Sequence, residues 1–193
     1  MRTRPRSTPY AILGMLSIYP MSGYDIRKEA ASSIGYFWNE SYGQIYPALR
    51  ELRAQSLIRL RPGQRGGNRD RHVYEITDRG KEALGRWRAE PPRPQPIRNE
   101  LLLKMFFGDR ESIPTETGWI ERRLAEESEE LREFRRLRRQ LMKEQRDHPS
   151  LPFWLITLSY GEHCARATIR WCRETLIALR SIEGGAARKG QTR

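Results

Sequence analysis

Two side chains in the first half of the chain, Gln44 and Arg50, carry the hydrogen-bond geometry best suited to reading a base pair. A glutamine amide can bind adenine through paired hydrogen bonds, and a guanidinium fork can do the same with guanine. Around them stand Ser41, Tyr42, Gly43, Tyr46 and Pro47, which are small, flat or hydroxyl-bearing rather than bulky and charged. A second set is cationic. Arg59, Arg61, Arg65, Arg69 and Arg71 are opposed by a single acid, Asp70, a composition suited to phosphate contact. Residues for covalent or acid–base chemistry are sparse. His72 lies in the cationic stretch, His148 stands beside Pro149, and His163 is the third and last histidine. No Ser/His/Asp or Cys/His set converges, and no glycine-rich phosphate loop joins a strand to a helix. His163, Cys164 and Cys172 point in different directions from one helix, which does not meet a tetrahedral metal's demands. We therefore expect no enzyme activity, no cofactor and no metal.

The bulk properties agree with a polyanionic partner. The 193 residues carry a formal net charge of +12, which favours nucleic acid or an anionic surface. The excess is denser at the front, where residues 1–90 hold 16 Lys/Arg against 9 Asp/Glu, compared with 20 against 15 in residues 91–193. No stretch approaches the roughly 20 apolar residues of a membrane span. MRTRPRSTP has no apolar run behind it, so we expect no secretory signal and no membrane partner. Cys164 and Cys172 fall about 12 Å apart along one helix at the standard rise, too far for a disulfide. The expected location is the reducing cytoplasm.

The elements that must position Gln44 and Arg50 follow from periodicity. Ser7 or Thr8 before Pro9 starts a helix, and YAILGMLSIY is apolar almost all round, so it belongs at the centre of a small domain. Pro20 ends it. Ser22, with Asp25 in capping-box spacing, starts a second helix over about 23–34. The third, Ser41 to about Gln55, turns Ile45, Leu49 and Leu52 inward, with a bend expected at Pro47. The alternating runs LIRLRP and HVYEIT, joined by GQRGGNRD, predict a projecting hairpin, and Asp78 or Thr77 caps a fourth helix. Helix, helix, helix, two-stranded wing, helix is the order of a winged helix-turn-helix.

EPPRPQPIRNE holds four prolines and marks a semi-rigid boundary. Beyond it, a long helix from about Pro114 carries Ile120, Leu124, Leu131, Phe134 and Leu141 on a narrow stripe beside Trp119, as in a coiled-coil seam. After His148-Pro149 a second long helix carries Leu155, Trp171 and Leu176. Two such stripes are expected to be buried against a second copy of the chain across a two-fold axis. Phe153 and Trp154 are the candidates for a small-molecule pocket. The expected organisation is a DNA-binding winged helix-turn-helix over 1–90, a linker over 91–100, a helical dimerisation domain over 101–183 and a disordered basic tail over 184–193. The fold class is mainly α with a two-stranded β-wing.

The segments ILGMLSIYPMSGYDIRK, FWNESYGQIYPALRELRAQSLI, NRDRHVYEITDRGKEAL and PIRNELLLKMFFGD together resemble the PadR family of transcriptional regulators. More narrowly, the chain is similar to the long-tailed branch with a virulence-activator-like C-terminal helical domain. The resemblance covers residues 10 to 182. It implies a homodimeric repressor on a pseudo-palindromic operator, with dimer contacts from the C-terminal helices. For some members it implies relief of repression by an aromatic or phenolic molecule bound near the dimer interface.

On this reading the 41–55 helix enters the major groove of double-stranded DNA, with Ser41 and Tyr42 at its positive end holding phosphate. Gln44 and Arg50 read bases, and Gly43 and Pro47 permit close approach. Tyr46 either touches the duplex or packs against the wing. Arg65, Arg69 and Arg71 meet phosphates or the minor groove, and Ser22 touches the backbone. The rival reading is a dimeric winged-helix adaptor that binds protein and has no small-molecule effector.

Overall fold

The computed structural model describes residues 7–38, 42–61, 72–92, 94 and 98–190. The chain divides into two compact units, Met1–Gln95 and Pro96–Arg193, and is mainly helical.

The first unit is built around its first helix, as the apolar sequence requires. Helix α1, Thr8–Leu16, buries Ile12, Leu13, Met15 and Leu16. Ile26 and Ala30 of α2 (Gly23–Ser33) join that core, as do Ile45, Ala48, Leu49 and Leu52 of α3 (Tyr42–Ala54). Each large side chain so enclosed contributes on the order of 1.5–3 kcal/mol. Helix α4, Asp78–Ala89, closes the unit and stacks Trp87 flat on Tyr10 of α1, ring centres 4.9 Å apart.

The wing has one strand more than expected. Strands β2 (Ile58–Leu60) and β3 (Val73–Ile76) pair antiparallel with Ile58 opposite Ile76 and Leu60 opposite Tyr74. A third strand, β1 (Met21–Ser22), pairs with the other edge of β3, giving the order β1-β3-β2. Two residues cannot show an alternating pattern, so β1 leaves no periodic trace in the sequence. It covers an edge of β3 that would otherwise expose unpaired backbone groups.

A small node fixes α3 against the wing and α4. Ser56 takes a left-handed conformation, φ 58°. The Leu57 N–H then donates to Leu52 O at 2.9 Å and the Ser56 N–H to Arg53 O at 2.9 Å, the pattern of a Schellman motif. The Thr77 hydroxyl donates to Ser56 O at 2.8 Å and accepts from the Gly80 N–H at 3.1 Å. Gly80 sits so tightly that a Cβ there would lie 2.2 Å from Leu57 O. Gly80→Ala is therefore expected to cost about 1–3 kcal/mol through overpacking, read as a lower midpoint in thermal or urea unfolding.

The second unit is a helical hairpin. Helix α5 (Glu100–Phe106) precedes α6 (Ile113–Glu144), which turns back into α7 (Leu151–Gly190). Near the α5 end, Ile113, Ile120, Cys172, Leu176 and Leu179 form the core, with Leu101, Met105, Leu124 and Trp171 packed on it. Leu131 and Phe134 are buried further along α6. This corrects the expectation that these stripes face a second copy. Ile120, Leu131, Phe134 and Leu176 are buried within the single chain, because the apolar stripes of α6 and α7 are antiparallel neighbours and cover each other. Trp119, Leu124, Leu141, Leu155 and Trp171 are half-buried. Helix α7 also runs through Gly190, past Gly184, where a disordered tail was expected.

Two buried carboxylates in the hairpin act in opposite senses. Glu162 on α7 accepts from Arg138 of α6 at 2.8 Å and from Arg166 at 3.1 Å. The Arg138 hydrogen bond leads in holding its carboxyl below the ordinary 4.5, against the pull of burial. Glu127 on α6 has Arg123 at 2.5 Å, yet burial prevails and pushes its carboxyl above 4.5. A depressed carboxylate contributes stability above its unfolded value and loses it as pH falls through the folded one; a raised carboxylate costs stability once it ionises. Glu162→Ala should therefore destabilise at pH 7, by about 1–3 kcal/mol as for lost charged hydrogen bonds, since Arg138 and Arg166 are 35% and 46% exposed and stay solvated, with the loss fading in acid. Glu127→Gln should stabilise at pH 7 and change little below pH 4. Urea unfolding at the two pH values checks both signs.

Candidate nucleic-acid interface

The outward face of α3 is unusually lean. With Ile45, Ala48, Leu49 and Leu52 buried, the helical period places Gly43, Pro47, Arg50 and Ala54 on one line directly opposite. Gly43, Arg50 and Ala54 are exposed, and Pro47 is half-buried. Gln44 and Glu51 flank the line on one side, Tyr46 and Arg53 on the other, all four exposed. Arg50 is thus the single long donor on a ridge of residues that barely project. The helix is continuous through Pro47.

Tyr46 has a definite place. Its ring lies over Gly23 at the start of α2, where a Cβ would come within 3.0 Å of the ring. There it packs against α2, and the absence of a side chain at Gly23 is what lets α2 and α3 approach. The ring keeps 44% of its surface exposed.

Ser22 needs correction as a contact residue. It is 4% exposed, and its hydroxyl and Asp25 form the full capping box of α2. The Asp25 N–H donates to Ser22 Oγ at 3.2 Å, and the Ser22 N–H donates to Asp25 Oδ2 at 3.1 Å. The capping-box spacing was legible in the sequence, and it consumes the groups a phosphate would need.

On the wing, Arg59 Nε donates to Glu75 Oε1 across the strands at 2.6 Å. The ladder closes with the Arg61 N–H on Val73 O at 2.9 Å. The strand pair thus leads straight into the segment that holds Arg65, Arg69 and Arg71. Those three arginines, and Ser41, lie outside the described residues, and Tyr42 opens α3.

In the second unit Trp154 stacks on the imidazole of His148, ring centres 4.4 Å apart, while Phe153 is 64% exposed. The two candidate pocket residues therefore have different surroundings. Phe153, Ile156 and Tyr160 recur on the face of α7 opposite the hairpin core, each about two-thirds exposed. Sequence reasoning passed over Ile156 and Tyr160 because apolar residues occur on both faces of this helix. Among the described residues, no helix is long and apolar enough to cross a membrane.

Comparison with known proteins adds an independent line. The model of the transcriptional regulator PadR-like family matches residues 12–86, and that of the virulence activator alpha C-terminal region matches residues 97–180. The chain is similar to the negative transcriptional regulator PadR of Bacillus subtilis, 36% identical over 103 residues, 53% of this chain and 57% of that protein. It is also similar to the probable transcriptional regulator Rv1176c of Mycobacterium tuberculosis, 40% identical over 86 residues, 45% of this chain and 46% of that protein. The chain spans about half the length of the curated relatives it matches. Among solved structures it resembles Bacillus subtilis PadR in complex with operator DNA, with TM-score 0.75 and 26% identity over 90% of this chain and 99% of that one.

Proposed function

This chain belongs to the PadR-like family of transcriptional regulators, and we propose that it is a homodimeric repressor that reads a pseudo-palindromic operator in double-stranded DNA. The observation that carries the reading is the outer ridge of α3, with Gly43, Arg50 and Ala54 exposed and Pro47 half-buried, beside the exposed Gln44 and opposite the buried face of Ile45, Ala48, Leu49 and Leu52. Such a profile suits a surface pressed close to another, and the major groove admits an α-helix. Each protomer places one α3 in a major groove, with half-sites about 34–36 Å apart or a multiple of that. Ser41 and Tyr42 hold phosphate at the helix start, Gln44 and Arg50 contact base edges, and Arg65, Arg69 and Arg71 on the wing contact phosphates.

The second copy docks on α7. Phe153, Ile156 and Tyr160 form an apolar stripe that the chain leaves in water, and such a stripe marks an interaction surface. Repression is relieved by an aromatic or phenolic small molecule whose flat ring packs beside Trp154, near the α6–α7 turn. The protein works in the cytoplasm.

Duplex binding measured over a range of salt tests the reading against that of a protein-binding adaptor. If several arginines per protomer neutralise phosphates, log affinity falls linearly with log salt, with a slope near −0.9 per phosphate contact. Preference for DNA from upstream of its own gene over random duplex should survive the change of salt. Weak, salt-independent and sequence-independent binding would remove the proposal.

A further inference from the structure

We propose that the backbone carbonyl of Gly43 is itself a base-reading acceptor, released for that role by Pro47; the inference rests on α3 being the helix that enters the groove. Within an α-helix the carbonyl of residue 43 would accept from the N–H of residue 47. Pro47 has no N–H, and its ring crowds that same carbonyl and tilts it away from the helix axis. The proline is the sixth residue of Tyr42–Ala54, beyond the first-turn positions where a missing N–H costs nothing. The helix nevertheless continues for seven more residues, through Ala54.

The location gives this defect a use. Gly43 and Pro47 lie on the same outward line as Arg50, opposite Ile45, Leu49 and Leu52. Gly43 is exposed and has no side chain to hold a neighbouring surface away from its own carbonyl. A proline elsewhere on α3 would release a carbonyl toward the core or a flank; at 47 it releases one on the ridge.

The major groove supplies only certain partners for an acceptor. Cytosine presents its N4 amino group and adenine its N6 amino group, whereas guanine and thymine present acceptors. The Gly43 carbonyl therefore selects an amino-bearing base. Arg50, seven residues further on, selects guanine, about 10 Å along the axis and so within about three base pairs.

The test is selection of binding sites from a random duplex pool with the full chain and with Pro47→Ala. Alanine restores the N–H and is the better helix former, so the variant folds. The wild type should select cytosine or adenine at one position near the Arg50 guanine, by at least about tenfold. Pro47→Ala should lose that preference and keep the guanine. In the selected site, replacing the chosen base by an analogue without its amino group should weaken the wild type about tenfold and leave Pro47→Ala unaffected. A Pro47→Ala consensus identical to the wild type's, or wild-type indifference to the missing amino group, overturns the proposal. If the wild type enriches no sequence at all, the DNA-reading function itself fails, and this inference with it.

Discussion

Replacing Ile156 and Tyr160 together by aspartate is expected to halve the mass of the protein in solution and to weaken operator binding by about 10²–10⁴-fold. The two side chains are 66% and 67% exposed in the single chain, so the change leaves the hairpin core of Ile120, Cys172 and Leu176 intact. Far-ultraviolet circular dichroism should therefore match the wild type. On the proposed dimer, what is lost is the second reading head. With both α3 helices on one particle, the second half-site binds as an intramolecular event, whereas a monomer must bind each half-site alone. Light scattering gives the mass and a titration on the same sample gives the affinity. A monomer with unchanged affinity would show that dimerisation is irrelevant to reading; an unchanged dimer would move the interface away from this face of α7.

Arg50→Ala is expected to abolish preference at one base pair per half-site and to leave preferences elsewhere in place. A bidentate arginine–guanine contact is worth about 1–3 kcal/mol of discrimination, roughly 5- to 150-fold. Arg50 is exposed at the centre of the α3 ridge, so its removal disturbs no core packing. Competition titrations with each single-base variant of a half-site distinguish the outcomes. Loss confined to one position assigns base reading. Equal loss on every sequence makes Arg50 a phosphate contact, and then the salt slope should fall by about one unit as well.

The sequence was most legible where one residue class recurs at a fixed period. Ile45, Leu49 and Leu52 announced α3, and all three are buried; Ser22 and Asp25 announced the start of α2. It was least legible where the partner of a surface lies far away in the chain. The stripe of Ile120, Leu131 and Phe134 was read as waiting for a second copy, but periodicity states that a face is apolar without saying what covers it. Here α7 covers it, and the Arg138–Glu162 pair, 24 residues apart, joins the two helices. The same limit applies to Tyr46, whose seat over Gly23 depends on how closely α2 and α3 cross. The Ser56–Thr77–Gly80 node joins residues 21 apart through a hydroxyl and a left-handed turn, which no short motif encodes. Ser22 teaches a different lesson: a residue with an evident capping role was also counted as a contact, and one hydroxyl does not serve both.

Hydroxyl-radical footprinting of the DNA upstream of the protein's own gene tests the central claim most directly. Two protected blocks related by a dyad, with centres one helical turn or a whole multiple of a turn apart, are the expected result. Protection spread evenly along the fragment, or a single block without a symmetric partner, would contradict the account of two α3 helices reading one operator.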